Sequence, residues 1–248
     1  NVSKFKYRIV CLSYNLHMIK QQDLEKYSTT YSIERLKAFA FTEKDTIDDI
    51  VRHYSENIII SQSLYPALCT LEIILRNSID TIFRMYISET WIEDEINNNS
   101  FLKQPEYQML INAYNTTKKE CLLSSKEITT GKIIANLTFG FWTNLCVKKY
   151  SPKIWNKMKC FKGIFANYPN TKPEIARITK KLYTIRKLRN RVFHYEQIFK
   201  NPDRTLELYN TILEVISYLP NDNLKILEKT SIFPQIYNSL TEPNKPKT

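Results

Sequence analysis

Leu64, Leu68, Leu71, Leu75, Ile79, Ile82 and Tyr86 recur at three- and four-residue intervals over about six turns. A stripe that long is the apolar face of one extended helix, and it needs other amphipathic helices laid against it. The remaining pattern is also helical. Thr46 to Asn57 puts Ile47, Ile50, Val51 and Tyr54 on one side, and Ser61–Ser63 reads as a break before the long stripe. Pro105 suits the start of a helix running to about Leu123. A connection over Ser124–Gly131 and a helix through Ile133–Val147 follow, the latter ended by Ser151-Pro152. Pro173 opens a helix predicted from Glu174 to about Phe199, and Asn201-Pro202-Asp203 stops it. Asp203 is the predicted cap of Arg204–Leu219; Pro220–Asn223 and a short helix come next. Ile58–Ile60, the best strand candidate, reads better as a helix end. The expected fold is an all-α bundle with a helical extension over 1–44, a main domain over 45–220, and a short helix with a disordered tail over 221–248.

Composition removes whole classes of function. Three glycines (Gly131, Gly140, Gly163) leave neither a P-loop nor a dinucleotide fingerprint. The five cysteines (Cys11, Cys69, Cys121, Cys146, Cys160) are odd in number and form no Cys-x-x-Cys pair. That argues against a zinc knuckle or a disulfide framework and for a reducing cytoplasm. No apolar run is read as a membrane span, and Ile9–Leu12 is too short for a signal-peptide core. Asp48 and Asp49 are adjacent and so point about 100° apart on a helix, a poor pair for holding a metal in nucleotidyl transfer. No cofactor or metal is expected.

The charge is concentrated. Between Ile128 and Tyr195 stand 15 basic residues and one acid, Glu174, a charge of +14; the rest of the chain holds 21 basic and 24 acidic residues, or −3. A solvated neutral-purpose face mixes the two signs, so a polyanion is the simplest partner for such a field. The candidate contacts are Lys148, Lys149, Lys153, Trp155, Lys157, Lys159, Lys162 and Arg191. Tyr150, Trp155, Phe161, Phe165 and Tyr168 interleave with these cations; they suit the stacking of unpaired RNA bases, or equally a core.

Of three histidines, His17 lies in a segment of uncertain order and His53 reads as a surface residue of an amphipathic helix. His194 lies within Ile185-Arg-Lys-Leu-Arg-Asn-Arg-Val-Phe-His-Tyr-Glu196. Arg186, Asn190 and His194 are four apart and share one helix face. Arg189 is about 140° from His194 on an ideal helix. For both to meet one ligand, the helix distorts, the arginine curls round, or a second copy contributes. Imidazole can pass protons near neutral pH, and guanidinium forks hold phosphate oxygens. Such a set can cleave RNA without metal through attack of the 2′-OH on the adjacent phosphate. That chemistry needs two proton-transfer groups, and a symmetric dimer would supply two histidines. A solvated basic helix ending in a capping histidine is the plain alternative.

Arg189-Asn190-Arg191-Val192-Phe193-His194 resembles the Arg, four-to-six residues, His motif of the HEPN superfamily of helical RNases. Tyr65-Pro66-Ala67-Leu68 through Leu71-Glu72-Ile73-Ile74-Leu75-Arg76-Asn77-Ser78-Ile79 resembles the N-terminal signature of the Abi family, the AbiD/AbiF-like abortive-infection proteins. Leu137-Thr138-Phe139-Gly140-Phe141-Trp142, followed by Leu145, is similar to a further Abi motif. The resemblance covers Tyr65 to Glu196. It implies a HEPN-like helical bundle, a homodimer joining two Arg…His motifs, and a metal-independent endoribonuclease acting as a toxin in antiphage defence. It also implies restraint by a small non-coding RNA, as in a toxin with an RNA antidote. On that reading Arg189, Asn190 and His194 are catalytic, with Glu72, Arg76, Asn77 and Arg186 in support. Glu72 can pair with Arg76 along its own helix or reach across to Arg186 or Arg189. The Phe139–Trp142 segment reads as packing, with Gly140 permitting close helix approach. The competing class is a non-catalytic RNA-binding module using the same residues.

Overall fold

The computed structural model describes residues 31–169, 172, 174–220 and 223–242. Expectations placed on Cys11, His17, Pro173 and the 243–248 tail lie outside them. The described residues are helical with no strand, which makes the fold all-α. The chain divides into two compact units, 1–55 and 56–248. In the first, α1 (Ile33–Lys37) leads to Phe39, which meets Tyr54 edge-on at 4.8 Å. His53 is buried rather than at the surface: its ring stacks on Phe41 at 3.6 Å, and its Nδ1 lies 3.1 Å from the Phe39 carbonyl. The division between the two units falls inside α2 (Ile47–Tyr86).

Helix α2 runs unbroken for 40 residues through Ser61–Ser63, where a break was expected. The Ser63 hydroxyl donates to the Ile60 carbonyl at 2.7 Å, so this polar side chain is satisfied within the helix. Six of the seven stripe residues are buried; Tyr86, at the helix end, is exposed. This helix is long and apolar enough to cross a membrane by length and composition, contrary to the sequence expectation. Leu64, Leu68, Leu71, Leu75, Ile79 and Ile82 nevertheless spend its apolar face on the protein core.

The second unit continues with α3 (Trp91–Asn98) and α4 (Glu106–Leu123), which starts directly after Pro105 as expected. The helix expected over Ile133–Val147 is two: α5 (Thr130–Asn136) and α6 (Phe139–Leu145), parted by extended Leu137 and Thr138. Gly140 therefore lies in a first turn. An added Cβ there would meet Thr138 Oγ1 at 3.4 Å, ordinary contact, so close helix approach does not require glycine. Gly163 is the tighter position: its Cβ would fall 2.3 Å from Ile82 Cδ1, which would have to move. A 3₁₀ turn (Lys148–Tyr150) and a π turn (Ser151–Trp155) lead to α7 (Met158–Ile164).

Helix α8 (Ile175–Phe193) ends six residues before the expected Phe199. Tyr195 takes the left-handed conformation, φ 58°, and the amides of Tyr195 and Glu196 fold back onto the carbonyls of Val192 and Arg191. Helix α9 (Pro202–Tyr218) is capped by Asn201, whose Oδ1 accepts the Arg204 amide at 2.9 Å; Asp203 lies inside the first turn instead. Helices α10 (Leu224–Thr230) and α11 (Phe233–Thr241) pack on α9 through buried Leu227 and Phe233, so this end belongs to the same core. Helix α8 lies against α6 and α9, which leaves one long face open to solvent.

Candidate functional site

His194 is the C-cap of α8, its amide donating to the Asn190 carbonyl at 2.8 Å. Both side chains are exposed, one turn apart. Among the described residues the imidazole has no hydrogen-bond or ion-pair partner, so it is open to a ligand.

Arg189 leaves the opposite flank of α8, and its guanidinium reaches toward the helix end. It lies over the Phe193 ring at 4.4 Å, with Nη2 3.9 Å from Glu72 Oε2 on α2. Phe193 directly precedes His194 in the chain, so the guanidinium lies on the Phe193 side of the helix end. Arg189 Nε is buried and has no hydrogen-bond acceptor. Glu72 reaches across to this arginine rather than along α2. Burial pushes its carboxyl above the ordinary carboxylate value, while Arg189, Arg76 and a backbone hydrogen bond at Phe139 oppose that shift. The site thus contains an arginine pointed by a half-buried acid and an aromatic ring.

Arg186 is fixed on the same flank. Its Nη1 donates to Asn144 Oδ1 at 2.5 Å and to Thr143 Oγ1 at 3.2 Å, both on α6. The sequence reading missed Asn144 and Thr143, because only folding brings α6 to α8. Arg76 stands near enough to Glu72 to act on its charge. Asn77 meets the site through Arg76, whose Nε donates to Asn77 Oδ1 at 3.4 Å. It lines a cavity of about 380 Å³ with Ile74, Thr81, Gly163 and Asn223. It follows Glu72 by five residues, about 140° round an ideal helix.

The expected RNA contacts divide. Lys148, Lys157 and Lys159 are exposed. Lys149 instead pairs with buried Glu106, which also accepts the Tyr150 hydroxyl at 2.7 Å. Lys153 donates to the Ser100 carbonyl at 3.0 Å and Lys162 to the Tyr168 carbonyl at 2.7 Å. Arg191 holds the following loop, with Nε 3.3 Å from Glu196 and a hydrogen bond to the Gln197 carbonyl. Trp155 corrects the sequence expectation: it is 1% exposed and donates its indole N–H to the Leu145 carbonyl, so it offers no face to a base. Tyr150, Phe161, Phe165 and Tyr168 are likewise core. The exposed aromatics on α8 and its end are Tyr183, Phe193 and Tyr195.

No protein-family model, curated protein or solved structure matches the chain. Among the described residues no group of three or more His, Cys, Asp or Glu side chains stands where it could hold a metal ion. The four described cysteines are free.

Proposed function

We propose that this chain is a metal-independent endoribonuclease of the HEPN type and the toxic effector of an abortive-infection system. The observation that carries the reading is the open imidazole of His194 above Asn190, with Arg189 curled toward the same helix end under the hold of Glu72. A base removes the proton from a ribose 2′-OH, and the oxygen attacks the adjacent phosphorus. The 5′-oxygen then leaves with a proton from an acid, and the 2′,3′-cyclic phosphate remains. His194 serves one proton transfer, and His194 of a second copy serves the other. Arg189 stabilises the phosphorane charge, Asn190 orients the imidazole or a phosphate oxygen, and Arg186, Arg76 and Glu72 hold the arginine side of the site. The Abi-like motifs favour phage defence as the setting and a small non-coding RNA as the restraint.

The test compares the wild type with His194→Ala on total cellular RNA in EDTA, after bound RNA is stripped from both, with mapping of the cut ends. Cleavage by the wild type alone, leaving 2′,3′-cyclic phosphates, is the expected result. Tight RNA binding by both with cleavage by neither would overturn the nuclease and leave the RNA-binding module.

A further inference from the structure

The outward face of α8 carries a row that the catalytic reading does not use in full. On an ideal helix Tyr183, Lys187, Asn190 and His194 fall within an arc of about 60°, with Lys180 at its edge. All five are exposed, and no acid lies between Ile175 and Tyr195. Tyr183 is 48% exposed and stands outside the packed core. Lys187 Nζ lies 4.6 Å and the Arg186 guanidinium 5.8 Å from its centroid. The row therefore sets a flat ring and two cations on one rigid helix, about 16 Å from His194 by helical rise. That is the length of a few nucleotides.

We infer that Tyr183 is a stacking platform for an unpaired RNA base a few nucleotides from the bond at His194, with Lys187 on an intervening phosphate and Lys180 on one beyond the ring. This rests on the proposed nuclease reading and names its substrate class, single-stranded RNA. Stacking on an aromatic ring takes any base, because every base has a π face. A paired base keeps its face inside the duplex and cannot use the ring. An exposed cation–π contact is weak, so a base can take the ring face and pass the Lys187 ammonium to the phosphate beside it. The helix fixes the spacing between platform and imidazole, so Tyr183 sets where the strand lies relative to the scissile bond.

The test titrates full-length, RNA-stripped wild type, Tyr183→Ala and Tyr183→Phe with a short fluorescent single strand carrying 2′-O-methyl sugars, which cannot be cut. Circular dichroism checks that the helices persist. Tyr183→Ala should bind about tenfold more weakly with an unchanged salt slope, and Tyr183→Phe should stay within about twofold of wild type. Lys187→Ala should flatten the salt slope while the preference for single strand over duplex remains. Equal affinity of Tyr183→Ala and wild type would overturn the platform. The uncuttable strand separates the two ideas. Lost affinity in Tyr183→Ala with no cleavage of ordinary RNA by wild type keeps the platform and sinks the nuclease. Cleavage by wild type with full affinity in Tyr183→Ala does the reverse.

Discussion

Glu72 shows how one residue ties stability to the site. Its carboxyl titrates above the ordinary 4.5 because burial outweighs the attraction of Arg189 and Arg76. The folded chain thus binds that proton more tightly than the unfolded chain. The resulting stabilisation is fully present below the unfolded pKa and is lost as pH rises through the higher folded value. Glu72→Gln removes this dependence. In urea unfolding from about pH 4 to about pH 7, the stability of wild type relative to Glu72→Gln should therefore fall with pH. The opposite slope would mean that Arg189 holds the carboxylate charged more strongly than burial opposes it. Gly163 offers a second test, through packing. A methyl there collides with Ile82, but the cavity beside both residues lets Ile82 swing away. Gly163→Ala should then cost about 1 kcal/mol, the low end for overpacking. Ile82→Val should recover part of that loss, so the double variant would be more stable than the sum of the single changes in thermal unfolding.

At the scale of the element, boundaries were legible where a residue type has one local use. Pro105 marked the start of α4, and the three/four spacing of Leu64–Ile82 marked the buried face of α2. They were not legible where backbone and tertiary contacts decided. Helix α8 stops at His194 because Tyr195 adopts a left-handed conformation usually left to glycine. Asn57 also holds the loop beyond, accepting the Ile198 amide at 2.7 Å and donating to the Glu196 carbonyl. Neither signal stands in the local sequence. The consequence is functional: a helix continuing to Phe199 would have left His194 within its wall, whereas the observed end makes it a cap open to solvent. Within the candidate site, the Arg189–His194 pair was visible as a motif. The hold of Asn144 on Arg186 was not, because 42 residues separate the two. The start of α9 gives a compact test of capping. Asn201→Ala should cost about 1 kcal/mol in chemical unfolding, and Asn201→Asp should retain most of the stability. A larger loss from Asp203→Ala than from Asn201→Ala would return the cap to the residue that the sequence favoured.

Across the whole molecule, the basic excess serves two purposes that sequence cannot separate. A lysine opposite a buried acid and a lysine facing water look alike in the chain. In the fold, Lys149 neutralises Glu106, which is 1% exposed, while Lys148, Lys157 and Lys159 face solvent. Removing Lys149 leaves a carboxylate buried with only the Tyr150 hydroxyl and its neighbours for support, and breaking such a pair costs about 3 kcal/mol. Lys149→Ala should therefore lower the unfolding midpoint markedly. Any weakening of RNA binding in it should disappear at temperatures where the variant is fully folded. The triple change Lys148→Gln, Lys157→Gln, Lys159→Gln touches no buried acid and should leave the unfolding midpoint within error. If these three lysines meet phosphates of a single strand, the slope of log affinity against log salt should drop by about 0.7 for each phosphate that no longer meets a lysine. Thermal unfolding and RNA titration at several salt concentrations would measure both effects on the same variants. A triple variant with normal stability and an unaltered salt slope would place the RNA elsewhere, along the exposed face of α8. In that case Lys180→Gln with Lys187→Gln should lower the slope instead, because those cations flank Tyr183 on the helix that leads to His194.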